Sequence, residues 1–352
     1  MKKLLVLSLF MIPGLTFEVS SQDLIITNRD LQIGGTLELP DGHEKGNPLV
    51  IMITGSGAQD RDETIFGFKP FQQIANHLKE NGIASFRYDD REIGSSTGDF
   101  AASTLDDLSN DVDVIMDYFQ FQAEEIFDDF ILLGHSQGGV VSSKVAAKDD
   151  RVKGVILIAS TTVPLKEVIN EQVTLIQRVM GKSENDIEYI LSFQEKAYET
   201  SRLNEGWDEL KIEYQKLIER EVANLPAAQR QYIVDVEAFA NTQFNTAVTP
   251  LRAPQMRSLL HHNPATDIDG LEIPILALFG GKDTQVTPSQ NETVLVEICE
   301  NDLMNCEIQN FADANHLFQK ANSGFMNEYA MLPKEFVDGF LDSISDWVNA
   351  FN

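Results

Sequence analysis

Residues 49–53 read Leu-Val-Ile-Met-Ile, an unbroken apolar run between Pro48 and the glycines Gly55 and Gly57. A short run of this kind, bounded by turn residues, suits a strand buried on both faces of a parallel sheet. Further strands are predicted at 84–88, 130–133, 152–158, 275–279 and 307–311. Between them the spacing changes to that of helices. In 70–81 the apolar positions are Phe71, Ile74, Ala75 and Leu78, and Gly82 supplies the stop; in 105–121 they are Leu108, Val112, Ile115 and Phe119. Helices are also predicted at 139–148, 288–299 and, closing the chain, 333–351. The segments 24–27 and 31–39 alternate well enough for an antiparallel hairpin. Strands alternating with helices imply an α/β fold with a mostly parallel sheet flanked by helices.

The alternation lapses between 163 and 262. This stretch is long and polar, with helices predicted at 165–180, 184–201, 209–224 and 227–243, punctuated by Gly181, Gly206, Pro226 and Pro250. Because strands resume after it, it is expected to be an all-helical cap inserted into one domain, whose core is 22–162 and 263–352. An ordinary helical domain with no role at a site is the alternative. Cap residues Leu175, Leu191, Phe193, Phe239 and Phe244 are candidates to line a pocket, although helical spacing also suits plain packing.

The start of the chain reads differently. Lys2 and Lys3 precede an apolar run from Leu4 to Ile12, then Pro13-Gly14 and small residues at 19–21. That is the pattern of a secretory signal peptide over 1–21, too short for the roughly 20 apolar residues a bilayer span needs. A buried strand or a tether are the other readings. The expectation is an exported protein, periplasmic or secreted, with no stable membrane association after cleavage. Export permits a disulfide between the only two cysteines, Cys299 and Cys306, but spacing alone leaves it open. Two cysteines build neither a disulfide framework nor a Cys-based zinc site. The net charge of −28, with no Lys/Arg-rich run, argues against a nucleic-acid partner.

The chemistry concentrates in Gly134-His135-Ser136-Gln137-Gly138, a G-x-S-x-G pattern between a predicted strand and a predicted helix. A nucleophile on so sharp a turn needs small neighbours two positions away, and Gly134 and Gly138 provide them. Serine needs a base, and the base needs an orienting carboxylate. In the order Ser, acid, His, the candidates are Ser136, Asp283 after the strand 275–279, and His316 after the strand 307–311. His43, His77, His135, His261 and His262 lack that order or loop position. Asp267 and Asp269 are fallback acids that precede their strand. Oxyanion donors are expected from the backbone N–H of Gln137 and from that of Ser56 or Gly57, in the glycine-bearing loop after the first buried strand. Arg61, Asp62 and Arg91 are expected to anchor loops through ion pairs. No zinc helix, phosphate loop or dinucleotide fingerprint is present, so neither cofactor nor metal is predicted.

These stretches together, with 55–62, 87–91, 281–283 and 315–318, resemble the α/β-hydrolases, specifically bacterial carboxylesterases with a helical cap. The resemblance runs from about Gly35 to the C-terminus. It implies hydrolysis of a small-molecule ester through a Ser-His-Asp triad without a cofactor. One departure is visible: such proteins usually carry Arg-Gly-x-Gly where this chain has Arg91-Glu92-Ile93-Gly94. An aminopeptidase, thioesterase or acyltransferase on the same triad, a glycan-deacylating esterase, and a non-catalytic ligand-binding relative are the alternatives. Acyl length, alcohol and oligomeric state are not legible.

Overall fold

The computed structural model describes residues 21–41, 43, 46–300 and 305–351. The expected leader therefore falls outside the described residues, except Ser21. That residue opens the first strand, and its Oγ donates to Glu38 Oε1 at 3.2 Å.

In chain order the first elements are β1 (Ser21–Asn28), β2 (Leu31–Glu38), β3 (Leu49–Ile53), α1 (Pro70–Glu80), β4 (Ser85–Tyr88), α2 (Leu105–Phe121), β5 (Phe130–His135), α3 (Gln137–Ala146) and β6 (Val152–Ile158). A helical block follows: α4 (Leu165–Val179), α5 (Glu184–Leu203), α6 (Trp207–Asn224), α7 (Ala227–Arg230), α8 (Val236–Arg252), α9 (Pro254–Leu260) and α10 (Pro264–Ile268). The chain then adds β7 (Ile275–Gly280), α11 (Pro288–Cys299), β8 (Cys306–Phe311) and α12 (Phe340–Asn349).

The eight strands form one sheet in the order β1-β2-β4-β3-β5-β6-β7-β8. β2 pairs antiparallel with β1 and β4, and the remaining pairs are parallel. Because successive side chains point to opposite faces, each central strand feeds two cores. Ile51, Leu132, Val155 and Ala277 meet α2 and α3 on one face. Val50, Met52, Ile131, Leu133, Ile156 and Leu276 meet α1 and α12 on the other. The near-continuous apolar runs are thus the mark of a sheet covered on both sides. A capping box starts α2, with Thr104 and Asp107 exchanging side-chain-to-backbone bonds.

Two predicted helices come out differently. Residues 227–243 are not one helix, because Asp235 accepts from the Ala238 N–H and caps a new helix that runs through Pro250 to Arg252. Residues 333–339 are not helical either. The Val337 N–H is bonded to the Phe318 carbonyl at 2.8 Å, Phe336 packs between Phe68 and Phe340, and Gly339 turns into α12 with φ 81°. Tertiary contacts there override helical spacing. α9 carries Leu259 onto the α2 face of the sheet core. A disulfide joins Cys299 to Cys306, with Cα atoms 5.9 Å apart, tying the end of α11 to the start of β8. Among the described residues no helix is long and apolar enough to cross a membrane.

The loops near the C-terminal ends of β3 and β4 are pinned by ion pairs. Arg61 meets Asp89, Arg87 meets Glu38 and Asp62, and Arg91 meets Asp111. Glu92, standing where the resembled family has glycine, takes the left-handed conformation itself at φ 68°.

Candidate active site

β5 passes into α3 through Ser136, whose backbone sits at φ 52° and ψ −117°. That is a strained region for a non-glycine residue, kept only where the surroundings over-determine it. Here the Ser136 N–H is bonded to the Ile158 carbonyl at 2.8 Å and its carbonyl accepts from Gly139 at 3.1 Å. The turn leaves no room for larger neighbours. A Cβ on Gly138 would lie 2.0 Å from the Ile53 carbonyl oxygen, and one on Gly134 would lie 2.3 Å from the Gly138 carbonyl carbon.

Asp283 and His316 meet from the loops after β7 and β8. Asp283 Oδ2 accepts from His316 Nδ1 at 2.7 Å. Its other oxygen accepts from the backbone N–H groups of Gln285 at 2.7 Å and Val286 at 3.0 Å. Both residues are buried. Asn315, fully buried, holds the histidine loop by accepting from the N–H groups of Leu317 and Gln319. Ser136 and His316 line the same cavity of about 400 Å³. No hydrogen bond joins their side chains, a separation that does not argue against a nucleophile–base pair, since such contacts tighten when substrate binds.

The candidate oxyanion donors differ in their surroundings. Gln137 is the first residue of α3, so its N–H belongs to the helix's unsatisfied first turn. Ser56 lines the cavity beside it, whereas Gly57 is not among the lining residues. Gly57 instead supplies the turn, at φ 88°. The Gly55 N–H is committed to Glu63 Oε1 at 2.8 Å. Of the two candidates in this loop, the geometry favours Ser56.

Asp90 brackets the same loop. Its Oδ2 accepts from Thr54 Oγ1 at 2.8 Å and from the Gln59 N–H at 2.9 Å. Burial pushes its carboxyl up to about 7 against those two donors. A raised acid contributes its full share of stability below the ordinary carboxylate range and loses it as pH rises through the raised value. Asp90→Asn is therefore expected to flatten the fall in melting temperature between about pH 4 and about pH 7. Thermal melts of both proteins across that range check it.

His262, set aside in the sequence, also lines the cavity, with Nε2 2.6 Å from Asp267 Oδ2. This second histidine–carboxylate pair is local, five residues apart, and partly exposed. It stands across the helical block's exit, not on the loop after β8. His262→Ala is expected to lower kcat by less than about 10-fold, and His316→Ala by about 10⁴-fold or more. Initial rates on one activated ester distinguish the two.

The cavity is walled mainly by apolar groups, among them Val140, Leu165, Val168, Leu259 and Met326. The helical block reaches it through Leu165, Val168 and Gln172 of α4, Leu259 of α9, His262, and Pro264 of α10. Of the aromatic candidates, Phe193 and Phe244 belong to a separate cluster with Ala197 and Leu210. Phe193 also borders a second cavity of about 530 Å³ among α4, α5, α6 and α8. Phe239, Leu175 and Leu191 do not line the first cavity.

A family model described as serine aminopeptidase, S33, matches residues 68–318. The chain is 27% identical over 319 residues to the esterase EstD of Thermotoga maritima; the match covers 89% of this chain and 65% of that protein. Among solved structures, the Pyrococcus furiosus esterase Pf2001 superposes with a TM-score of 0.54 at 13% identity, covering 98% of this chain and 95% of that one. DcsB, solved with its substrate analogue, gives 0.57 at 16% identity, covering 94% and 99%. At such identities the structural likeness speaks for the fold.

Proposed function

The chain belongs to the serine aminopeptidase S33 family of α/β-hydrolases, and from that premise we propose that it is a serine carboxylic ester hydrolase. The observation that carries this reading is the meeting of three loops at one apolar cavity. They bring Ser136 on its strained turn, and His316 held by Asp283 at 2.7 Å.

The proposed reaction is acyl transfer to water. Ser136 Oγ attacks the ester carbonyl carbon as His316 Nε2 takes its proton. Asp283 keeps the His316 proton on Nδ1 and stabilises the imidazolium. The N–H groups of Gln137 and Ser56 receive the developing oxyanion. His316 then protonates the leaving alcohol, and a water activated by the same nitrogen releases the acid and restores Ser136.

The family's description raises aminopeptidase activity as the rival. Recognition of a free α-ammonium calls for an uncommitted carboxylate at the site. Among the described residues lining the cavity, Glu63 is the one carboxylate; its Oε1 is engaged by His135 and the Gly55 N–H, and its Oε2, though without a hydrogen-bond partner, is buried in a side chain only 1% exposed and so is not presented to a ligand. The mostly apolar wall favours an uncharged ester, in keeping with a relative named as an esterase. A panel of p-nitrophenyl esters of graded acyl length, with matched thioesters and aminoacyl anilides, tests the reading. Ester turnover at least about 100-fold above anilide turnover, by kcat/KM, is expected. The reverse order would replace esterase with aminopeptidase.

The basic and apolar start of the chain supports export with removal of 1–21. An N-terminus at or near Gln22 in protein recovered outside the cytoplasm is the expected result. An intact Met1 would refute it.

A further inference from the structure

Beyond the Asp283–His316 bond, two further buried side chains, Glu63 and His135, tie the loops of the site to one another. Glu63 is 1% exposed and sits at φ 51°, in the left-handed region. It is forced inward by the turn before it. Asp60 Oδ1 accepts from the N–H groups of Asp62 and Thr64, while the Asp60 carbonyl accepts from Glu63. Its neighbours are fixed from outside, Arg61 by Asp89 and Asp62 by Arg87. So presented, Glu63 Oε1 accepts from the Gly55 N–H at 2.8 Å and lies 2.7 Å from His135 Nδ1. The other nitrogen of His135 lies 3.0 Å from the His316 carbonyl oxygen.

Proton positions follow from the partners. A carbonyl oxygen only accepts, so His135 Nε2 carries a hydrogen. Nδ1 then faces a carboxylate oxygen, and a short contact there needs a second proton between them. The couple thus holds two protons, whether written as imidazolium with carboxylate or as imidazole with carboxylic acid. Burial works against the cation, but the Glu63 carboxylate and the His316 carbonyl outweigh it and raise the His135 pKa.

We propose that Glu63 and His135 are a positioning pair that sets the spacing of the oxyanion loop, the nucleophile turn and the histidine loop. Each bond leads to one of them: Glu63 to Gly55, next to Ser56; His135 through the chain to Ser136; and His135 Nε2 to the backbone of His316. The His135 and His316 rings lie 4.7 Å apart between centroids, so a shift of one is felt by the other. Neither Glu63 nor His135 takes part in the bond changes. This inference rests on the proposed triad, because the parts being spaced are Ser136, its oxyanion donors and His316.

Glu63→Gln is the informative change. A glutamine keeps size and shape and its oxygen can still accept from the Gly55 N–H, but it lacks the negative charge and the exchangeable proton that let the carboxyl hold a second proton against Nδ1. The variant is expected to lose about 100-fold in kcat with KM within about 3-fold, the cost of a small misplacement of reacting groups. Proton NMR of the wild-type protein is expected to show a low-field imidazole N–H from His135. That signal should vanish in Glu63→Gln and in His135→Asn, and persist in Asp283→Asn and His262→Ala, which remove the signals of His316 and His262. Fluorophosphonate labelling of the same samples separates the two levels of the argument. Failure to label Ser136 in the wild type would overturn the triad. Normal labelling, with Glu63→Gln retaining full kcat, would overturn the positioning pair alone. Should both substitutions unfold the chain, the wild-type spectrum decides: no low-field signal beyond those of His316 and His262 would refute the shared proton.

Discussion

Ser136→Ala is expected to lower kcat on an activated ester by about a million-fold and to leave KM within a few-fold. The expected size follows from the unit in which the serine acts. In the proposed mechanism its hydroxyl alone forms the acyl-enzyme, and without it His316 would have no proton to take and Asp283 nothing to support. The apolar wall of Val140, Leu165 and Val168 is independent of Oγ and would go on binding substrate. The proposed oxyanion donors, backbone groups of Gln137 and Ser56, would also survive. A residue of about 10³-fold over the uncatalysed rate is therefore expected to remain. Steady-state rates, corrected for spontaneous hydrolysis, with circular dichroism to verify folding, check both parts. The strained turn should persist, because the bond to Ile158 and the close packing of Gly134 and Gly138 do not involve the hydroxyl.

Asp283→Asn is expected to cost about 10⁴-fold in kcat while leaving the fold intact. Its force comes from the other end of the carboxylate. Oδ1 accepts from two backbone N–H groups, those of Gln285 and Val286. In an asparagine only the amide oxygen can accept, so it must stay with those donors. The NH₂ group is then left facing His316 Nδ1. That nitrogen becomes an acceptor, its proton moves to Nε2, and the nitrogen meant to receive the Ser136 proton is already occupied. The variant thus fails by tautomer and not by lost structure. Its melting temperature is expected to stay close to that of the native protein, and the low-field His316 signal to disappear.

The sheet was legible because its strands are buried on both faces and so read as apolar runs closed by glycine or proline. The runs at 49–53, 152–158 and 275–279 correspond to β3, β6 and β7 within a residue. The helices α2 and α11 carried their own limits in Thr104 with Asp107 and in Pro288. The misread segments are those whose conformation is decided at a distance. Residues 333–339 have helical spacing but are held in an irregular run of bends and turns by Phe318 and Phe68. The division between α7 and α8 rests on one capping carboxylate, Asp235, which resembles any other surface acid in a polar helix.

The site divides along the same line. Ser136, Asp283 and His316 are announced by a local turn pattern and by chain order relative to the strands. Glu63 and His135 stand 72 residues apart and meet only through the fold. A sequence reading places His135 merely next to the nucleophile and Glu63 merely after an ion-pairing stretch. The one local signal is the run of four polar residues from Asp60 to Glu63 beside a glycine-rich loop, which says that the turn is anchored, not which carboxylate points inward. Likewise, the sequence offered phenylalanines of the helical block as pocket lining, because apolar stripes on helices do not reveal which neighbour they meet. Phe193 and Phe244 meet other helices of the block, Phe239 is exposed, and α4 alone of the block's long helices reaches the cavity.

Ser136 as the nucleophile is tested by peptide mass spectrometry after reaction with a fluorophosphonate. One adduct per chain is expected, on Ser136, formed in step with loss of ester hydrolysis and absent from Ser136→Ala. An unlabelled Ser136 in protein that has lost its ester hydrolysis to the reagent, with the adduct on another residue, would contradict it.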